Sequence, residues 1–397
     1  MVIEYFQVYQ DCESTYFRET LNVGLTFLLI STVLYPVLLA LVPRPAGSAP
    51  AAVALSTDSR GRYTALDVIR GIAILAVIVL HVRFLTPASL YVDLDQDALN
   101  ILNAALRFAL PVFFIISGMM LAPPVLRTGP VLAFYARQFL RVGLPFILVS
   151  AFLLWTQGLL NPGVLIRSFF TGEAAVPFYF MAILFQLYLI YPFIHRWALQ
   201  RRWVYLALGV SLSATLYMPA WSVTFTPNYH PINVYTFLPH LFFFMWGIYL
   251  RQRLLEGSMP RAYWPWLTLV ALFAFGYWLL PNPYYNQQLF YGPAIFMILY
   301  LALSGRDLSG PLARGLATLG RHSLWLFLLH FPLQWVLLPH VFRWTESGWL
   351  AVLLASGISI AVSATVASVV VLIYSRTIEA LLIRPLFPVR QQERPSA

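Results

Sequence analysis

Long apolar runs separated by short polar punctuation set the pattern of this chain. A helix needs about 20 residues to cross about 30 Å of hydrocarbon. Runs of that kind recur near residues 21–42, 66–86, 99–122, 139–160, 176–194, 203–221, 234–250, 263–281, 286–304, 322–342 and 349–374. The pattern predicts an all-α, polytopic membrane helical bundle with about eleven transmembrane helices. The first run follows acidic residues (Glu4, Asp11, Glu13, Glu19), and no small-residue cleavage site comes after it. It therefore reads as a retained span rather than a signal peptide. The chain divides into an extra N-terminal helix (1–42), a flexible linker rich in Pro, Ala, Gly and Ser (43–61), a main membrane domain (62–385) and a short tail (386–397). No repeat of fixed period is visible, and no soluble domain is expected.

Charge orients the spans. All 25 basic residues are arginine, and 19 of them fall in alternate loops, against only Arg18, Arg167 and Arg343 on the other side. The remaining three, Arg70, Arg83 and Arg107, lie within or at the ends of spans. By the positive-inside rule this predicts an N-terminus outside and a linker and C-terminus in the cytoplasm of an inner (plasma) membrane protein. Composition agrees. The chain is 60% hydrophobic and 10% charged, whereas a soluble domain carries about 25% charged residues, and its mean hydropathy is +0.74. The +10 net charge is scattered between apolar runs, which excludes a nucleic-acid interface. The single cysteine, Cys12, excludes a disulfide framework or a cysteine metal site.

Charged residues inside spans mark functional sites by default. The second run opens Asp67-Val-Ile-Arg70-Gly71 and continues apolar to His81. Eleven helical residues put Arg70 and His81 about 16 Å apart along the axis, and eleven steps of about 100° close within about 20° of three turns. Both side chains thus point along one stripe, with Asp67 placed as an i,i+3 partner for Arg70. Desolvation favours the neutral imidazole that a general base needs, although a histidine bonded to a neighbouring helix fits the position as well. Arg137 and Arg141, four apart, share a helix face and serve either as positive-inside anchors or as phosphate ligands. Ser117-Gly118 reads as a close helix contact, because small residues let backbones approach in lipid. His330 is a second relay or a satisfied polar contact, and His240 has no motif behind it. Asp93, Asp95 and Asp97 suggest calcium, but Ala98 and Ala104 occupy the positions that require Gly and a bidentate Glu, leaving a solvated acidic loop. No His-Glu-x-x-His, Walker or Gly-x-Ser-x-Gly sequence occurs, and no metal is expected.

The run Leu66-Asp67-Val-Ile-Arg70-Gly71, with ten residues separating the arginine from His81, resembles the opening signature of the membrane acyltransferase 3 family. Further elements follow in that family's order. Phe113-Phe114-Ile-Ile-Ser117-Gly118 is similar to its Phe-Phe-x-x-Ser-Gly element, and Arg137 to Arg141 before Pro145 to its paired-arginine segment. Phe178-Tyr-Phe180 with Tyr188 and Pro192 resembles its aromatic span ending Tyr-x-x-x-Pro. Phe244-Met-Trp-Gly247 and Ser323 to His330-Phe-Pro332 echo two later elements. The resemblance covers about 62–385 and implies a ten-helix core, to which the first span is an addition.

What the resemblance implies is an O-acyltransferase. It would move an acyl group, commonly acetyl from acetyl-CoA or another acyl-CoA, to a hydroxyl of an envelope carbohydrate or lipid-linked acceptor. His81 is then the catalytic base, and Arg70, Arg137 and Arg141 bind the donor phosphates. Asp67, Ser117, Tyr188 and His330 support them. Direct attack on the thioester and a covalent acyl-enzyme route both stay open, as do a succinyl or longer donor and a lipid or small-molecule acceptor. The rival from another class is a transporter or flippase for a lipid-linked or small polar solute, with His81 and the arginines lining its pathway. Transporters commonly pair broken helices across internal repeats, and no such pair is visible in the sequence.

Overall fold

An unbroken 22-residue helix, α1 (Thr64–Leu85), carries both Arg70 and His81 and is packed on several sides by other helices. The computed structural model describes residues 63–91, 96–121, 131–216, 223–225, 232–234, 236–279, 288–304 and 306–377. The first apolar run, the linker, Asp93 and Asp95 of the acidic loop, and the tail fall outside the described residues.

Where one long run was expected at 99–122, two helices stand in line: α2 (Gln96–Leu106) and α3 (Ala109–Met120). Pro111 has no N–H with which to close the turn at Arg107, and the break falls there, at Arg107 and Phe108. The next run starts earlier than expected, as α4 (Val131–Gln138), passes through a π turn at Phe139–Gly143 and continues as α5 (Leu144–Thr156). Pro145 again removes an N–H. The chain widens by one residue, and the Tyr374 hydroxyl donates to the Leu140 carbonyl inside the turn at 2.8 Å.

A short helix that the apolar pattern did not single out follows, α6 (Pro162–Thr171). Asn161 caps it by accepting from the Val164 N–H at 2.9 Å, and Gly172, at φ 74°, ends it. A 3₁₀ turn leads into α7 (Tyr179–Ala198), and α8 (Arg201–Leu216) comes next. A three-residue antiparallel ribbon then pairs β1 (Val223–Phe225) with β2 (Ile232–Val234), with Thr224 opposite Asn233. After it stand α9 (Leu241–Leu255), α10 (Trp264–Leu279) and α11 (Gln288–Leu303). Last come a short amphipathic helix, α12 (Pro311–Arg321), and two long ones, α13 (Ser323–Val341) and α14 (Gly348–Tyr374).

Six helical stretches among the described residues are long and apolar enough to cross a membrane: Thr64–Leu85, Leu102–Met120, Val131–Thr156, Val176–Ala198, Ser323–Val341 and Gly348–Thr377. The protein is therefore a multi-pass helical membrane protein. The expected spans six to nine fall on α8 to α11, of which 15 or 16 residues each are described. At about 1.5 Å per residue the described part of each reaches about 24 Å.

In lipid, apolar side chains gain little by turning from acyl chains to each other, so close backbone approach holds helices together. Two crossings here are built reciprocally from glycine. A Cβ on Gly71 of α1 would run into the Leu316 carbonyl of α12, and one on Gly320 of α12 into the Asp67 carbonyl of α1. Likewise, Gly118 of α3 lies on the Phe244 carbonyl of α9, and Gly247 of α9 on the Ile115 carbonyl of α3. Helix α1 also packs against α3, α11, α13 and α14.

These crossings predict a split among glycine substitutions. Gly118→Ala and Gly320→Ala are expected to lower stability by about 1–3 kcal/mol each, as overpacking does. Gly209→Ala and Gly315→Ala, where the added carbon meets open space, should not. Thermal unfolding of the purified protein in detergent measures both classes.

Candidate active site

Polar side chains gather at two levels of α1. At the first, Asp67 pairs with Arg70 across one helical turn, Oδ1 to Nη1, at 3.7 Å, as the i,i+3 spacing predicted. Ser117 of α3 and Tyr188 of α7 meet through a side-chain hydrogen bond, and the Arg70 charge reaches Tyr188. Glycine brings them into range: Gly118, next to Ser117, is the one pressed on the Phe244 carbonyl, and the Phe244 ring lies 6.4 Å from that of Tyr188. Pro192 stands four residues after Tyr188 inside α7 and cannot supply the N–H that would close the turn there.

Helix α4 docks on α7 at the same height. The Tyr135 hydroxyl donates to the Leu189 carbonyl at 2.8 Å, and the Phe134 and Tyr191 rings are 5.3 Å apart. Arg137 turns its Nε into the protein. Arg141, carried by the π turn, is exposed. The simple i,i+4 relation expected of these two arginines is thus modified by Pro145, and the pair presents one half-buried and one exposed guanidinium.

At the second level His81 meets His330 of α13. His81 Nδ1 lies 2.8 Å from the Val77 carbonyl and 3.3 Å from His330 Nε2. His330 is fully buried, with Nδ1 2.8 Å from the Phe327 carbonyl and 3.1 Å from that of Leu326. The imidazole centroids are 5.0 Å apart, and the Phe331 ring stands edge-on to His81 at 5.5 Å. Gln334, one turn after His330, is fully buried and donates through Nε2 to the Ile78 carbonyl at 2.9 Å, tying α13 to α1 beside His81. The sequence reading passed over Gln334; its signal was an amide spaced four from a histidine in an apolar run.

A file of aromatic rings closes the site on one side. Phe327 lies 5.8 Å from His330, Phe180 5.0 Å from Phe327, and Phe114 4.8 Å from Phe180. Buried His240 continues the file, 4.8 Å from Phe114. Phe114 and Phe180 are thus site walls as well as motif residues. Among the described residues, no three of His, Cys, Asp and Glu gather as a metal ion would require.

A multi-pass helical bundle with a half-buried histidine paired to a buried one, above a cluster of arginine, tyrosine and serine, suits group transfer within a membrane. The family comparison identifies which transfer. A family model described as an acyltransferase domain matches residues 63–368, well over half of the chain. The chain belongs to this family, acyltransferase 3, and is a membrane acyltransferase. No curated protein and no solved structure matches it.

The Ser117–Tyr188 contact yields a measurable coupling. A double-mutant cycle of Ser117→Ala and Tyr188→Phe should return about 0.5–1.5 kcal/mol, the net worth of one hydrogen bond. Unfolding in detergent supplies the four stabilities. Additive losses would separate the two side chains.

Proposed function

We propose that this protein is an O-acyltransferase of the inner membrane. It takes an acyl group, acetyl in the simplest case, from cytoplasmic acyl-CoA and delivers it to a hydroxyl of an envelope carbohydrate or a lipid-linked acceptor. The observation that carries the reading is the separation of Arg70 and His81 along one stripe of an unbroken helix, about 16 Å apart, each at a different polar cluster. The arginine distribution makes the Arg70 end cytoplasmic. In this reading α8 to α11 also cross the bilayer, giving ten spans after the first.

Donor and acceptor then approach from opposite ends of α1. Guanidinium groups stay charged when partly desolvated and grip phosphate with a planar fork. Arg70, oriented by Asp67, takes the donor phosphates together with Arg137 and Arg141, while the pantetheine arm runs along α1 toward His81. Tyr188 and Ser117 line the donor's way in. At the far end His81 removes the proton of the acceptor hydroxyl as that oxygen bonds to the thioester carbonyl carbon. Collapse of the tetrahedral adduct breaks the C–S bond, and the CoA sulfur leaves with the proton that His81 returns. Proton and acyl group balance with no metal and no redox partner.

Purified protein in lipid nanodiscs, given labelled acetyl-CoA and envelope fractions, should pass label to a carbohydrate or glycolipid. His81→Asn preserves one imidazole hydrogen bond at similar size, so it should insert and purify normally while transfer falls roughly 10²–10⁴-fold, the usual share of a positioned general base. Full transfer by His81→Asn would overturn the assignment. Arg70→Lys keeps the charge and loses the fork, so it should raise the KM for donor. Unchanged donor affinity in both Arg70→Lys and Arg141→Lys would sink the phosphate clamp. A topology reporter after Arg394 should read cytoplasmic, and one at Asp95 external.

A further inference from the structure

The two histidines differ in what their nitrogens can do. Backbone carbonyls only accept hydrogen bonds, so a ring nitrogen held against one must carry the hydrogen. His81 Nδ1 is held against the Val77 carbonyl at 2.8 Å, and His330 Nδ1 against those of Phe327 and Leu326 at 2.8 and 3.1 Å. In the neutral rings both Nε2 atoms are therefore bare. The lone pair of His330 Nε2 faces His81 Nδ1 across 3.3 Å, so the His81 N–H is shared between Val77 and His330. His81 Nε2 is left as the free basic nitrogen.

We infer that His330 is the positioning residue of the site: it holds the His81 ring through Nδ1–H, keeps Nε2 as the base, and supports the imidazolium that forms there. This rests on the reading of His81 as the base. When Nε2 takes the acceptor's proton, the shared Nδ1–H becomes a charged donor, and bonds of that kind are roughly twice as strong as neutral ones. The logic is that of the carboxylate behind a catalytic histidine, with a neutral imidazole in the carboxylate's place. That substitution suits hydrocarbon, where a second buried charge would be costly. His330 is itself well fixed, fully buried beside Phe327, with Gln334 fastening the next turn of α13 to Ile78 of α1.

The variants His330→Leu and His330→Gln test this in nanodiscs, with labelled acetyl-CoA and envelope fractions as substrates. The glutamine amide oxygen can accept from His81 Nδ1–H, and leucine cannot. His330→Leu is expected to lower kcat about 10- to 100-fold, a fraction of what loss of the base itself costs, with the KM for acetyl-CoA unchanged. His330→Gln should stay within about threefold of the parent in kcat, because the hydrogen bond is restored. Nitrogen-15 NMR of histidine-labelled protein gives a readout free of turnover. His81 should be the Nδ1–H tautomer in the parent, with that proton moving upfield in His330→Leu and staying in place in His330→Gln.

If His330→Leu does not insert, His330→Phe repeats the test with the ring's volume kept. Parental kcat in the leucine or phenylalanine variant, equal losses in the glutamine and leucine variants, or an Nε2–H tautomer at His81 would each overturn the inference. Such results alongside an inactive His81→Asn would leave the base reading standing. Activity in His81→Asn would instead overturn the base reading itself, while the NMR result still decides the hydrogen bond.

Discussion

Backbone-to-backbone contact through glycine is the constraint on which the rest of this structure depends. Helices in lipid are not pressed together by water, so polar side chains from different helices meet only where their backbones can come close. The four glycines that make the two reciprocal crossings sit beside the polar residues they serve. Gly71 follows Arg70, Gly118 follows Ser117, Gly320 receives the carbonyl of Asp67, and Gly247 belongs to the helix whose Phe244 faces Gly118. Without the crossing of α3 with α9, Ser117 has no reason to lie within a hydrogen bond of Tyr188. The packing device and the site are one piece of sequence.

That coupling explains which parts of the chain were readable in advance. The shared stripe of Arg70 and His81 was legible because a long helix without proline obeys a fixed angular step, and α1 supplies one. The Asp67–Arg70 pair followed from the same step. Helix registers around Arg107 and Arg141 were not legible, because hydropathy reports how apolar a run is and is blind to where its hydrogen bonds close. Partnership between His81 and His330, 249 residues apart in sequence, could not be read from spacing; their occurrence in two elements of one family resemblance was the available hint. Helix α12 was missed for a different reason. It is short and amphipathic, so an apolar window passes over it, although its Gly320 fixes α1.

The helical count shows the same limit. Six stretches among the described residues meet the length of a bilayer, while 15 or 16 residues of each of α8 to α11 are described. Runs drawn by hydropathy extend to the last apolar residue, whereas a helix ends where its backbone partners end. At 234–250 the run begins in the ribbon and its connection, and α9 starts at Leu241 and extends past the run to Leu255. Apolar character thus located the elements without fixing their ends.

Proline completes the pattern that glycine begins. Pro111 stands four residues after Arg107, Pro145 four after Arg141 and Pro192 four after Tyr188. Each withholds the N–H that would close the α-helical turn at that residue, and two of them coincide with a visible departure, the break between α2 and α3 and the π turn before α5. A straight helix could present Arg141 only on the face shared with Arg137. The widened turn carries Arg141 to the surface while Arg137 keeps its Nε inside. In the proposed reaction that arrangement lets one guanidinium meet phosphate at the membrane boundary while the other holds it from within. A motif written as two arginines and a proline is then a statement about backbone geometry, with the proline directing where the second arginine points.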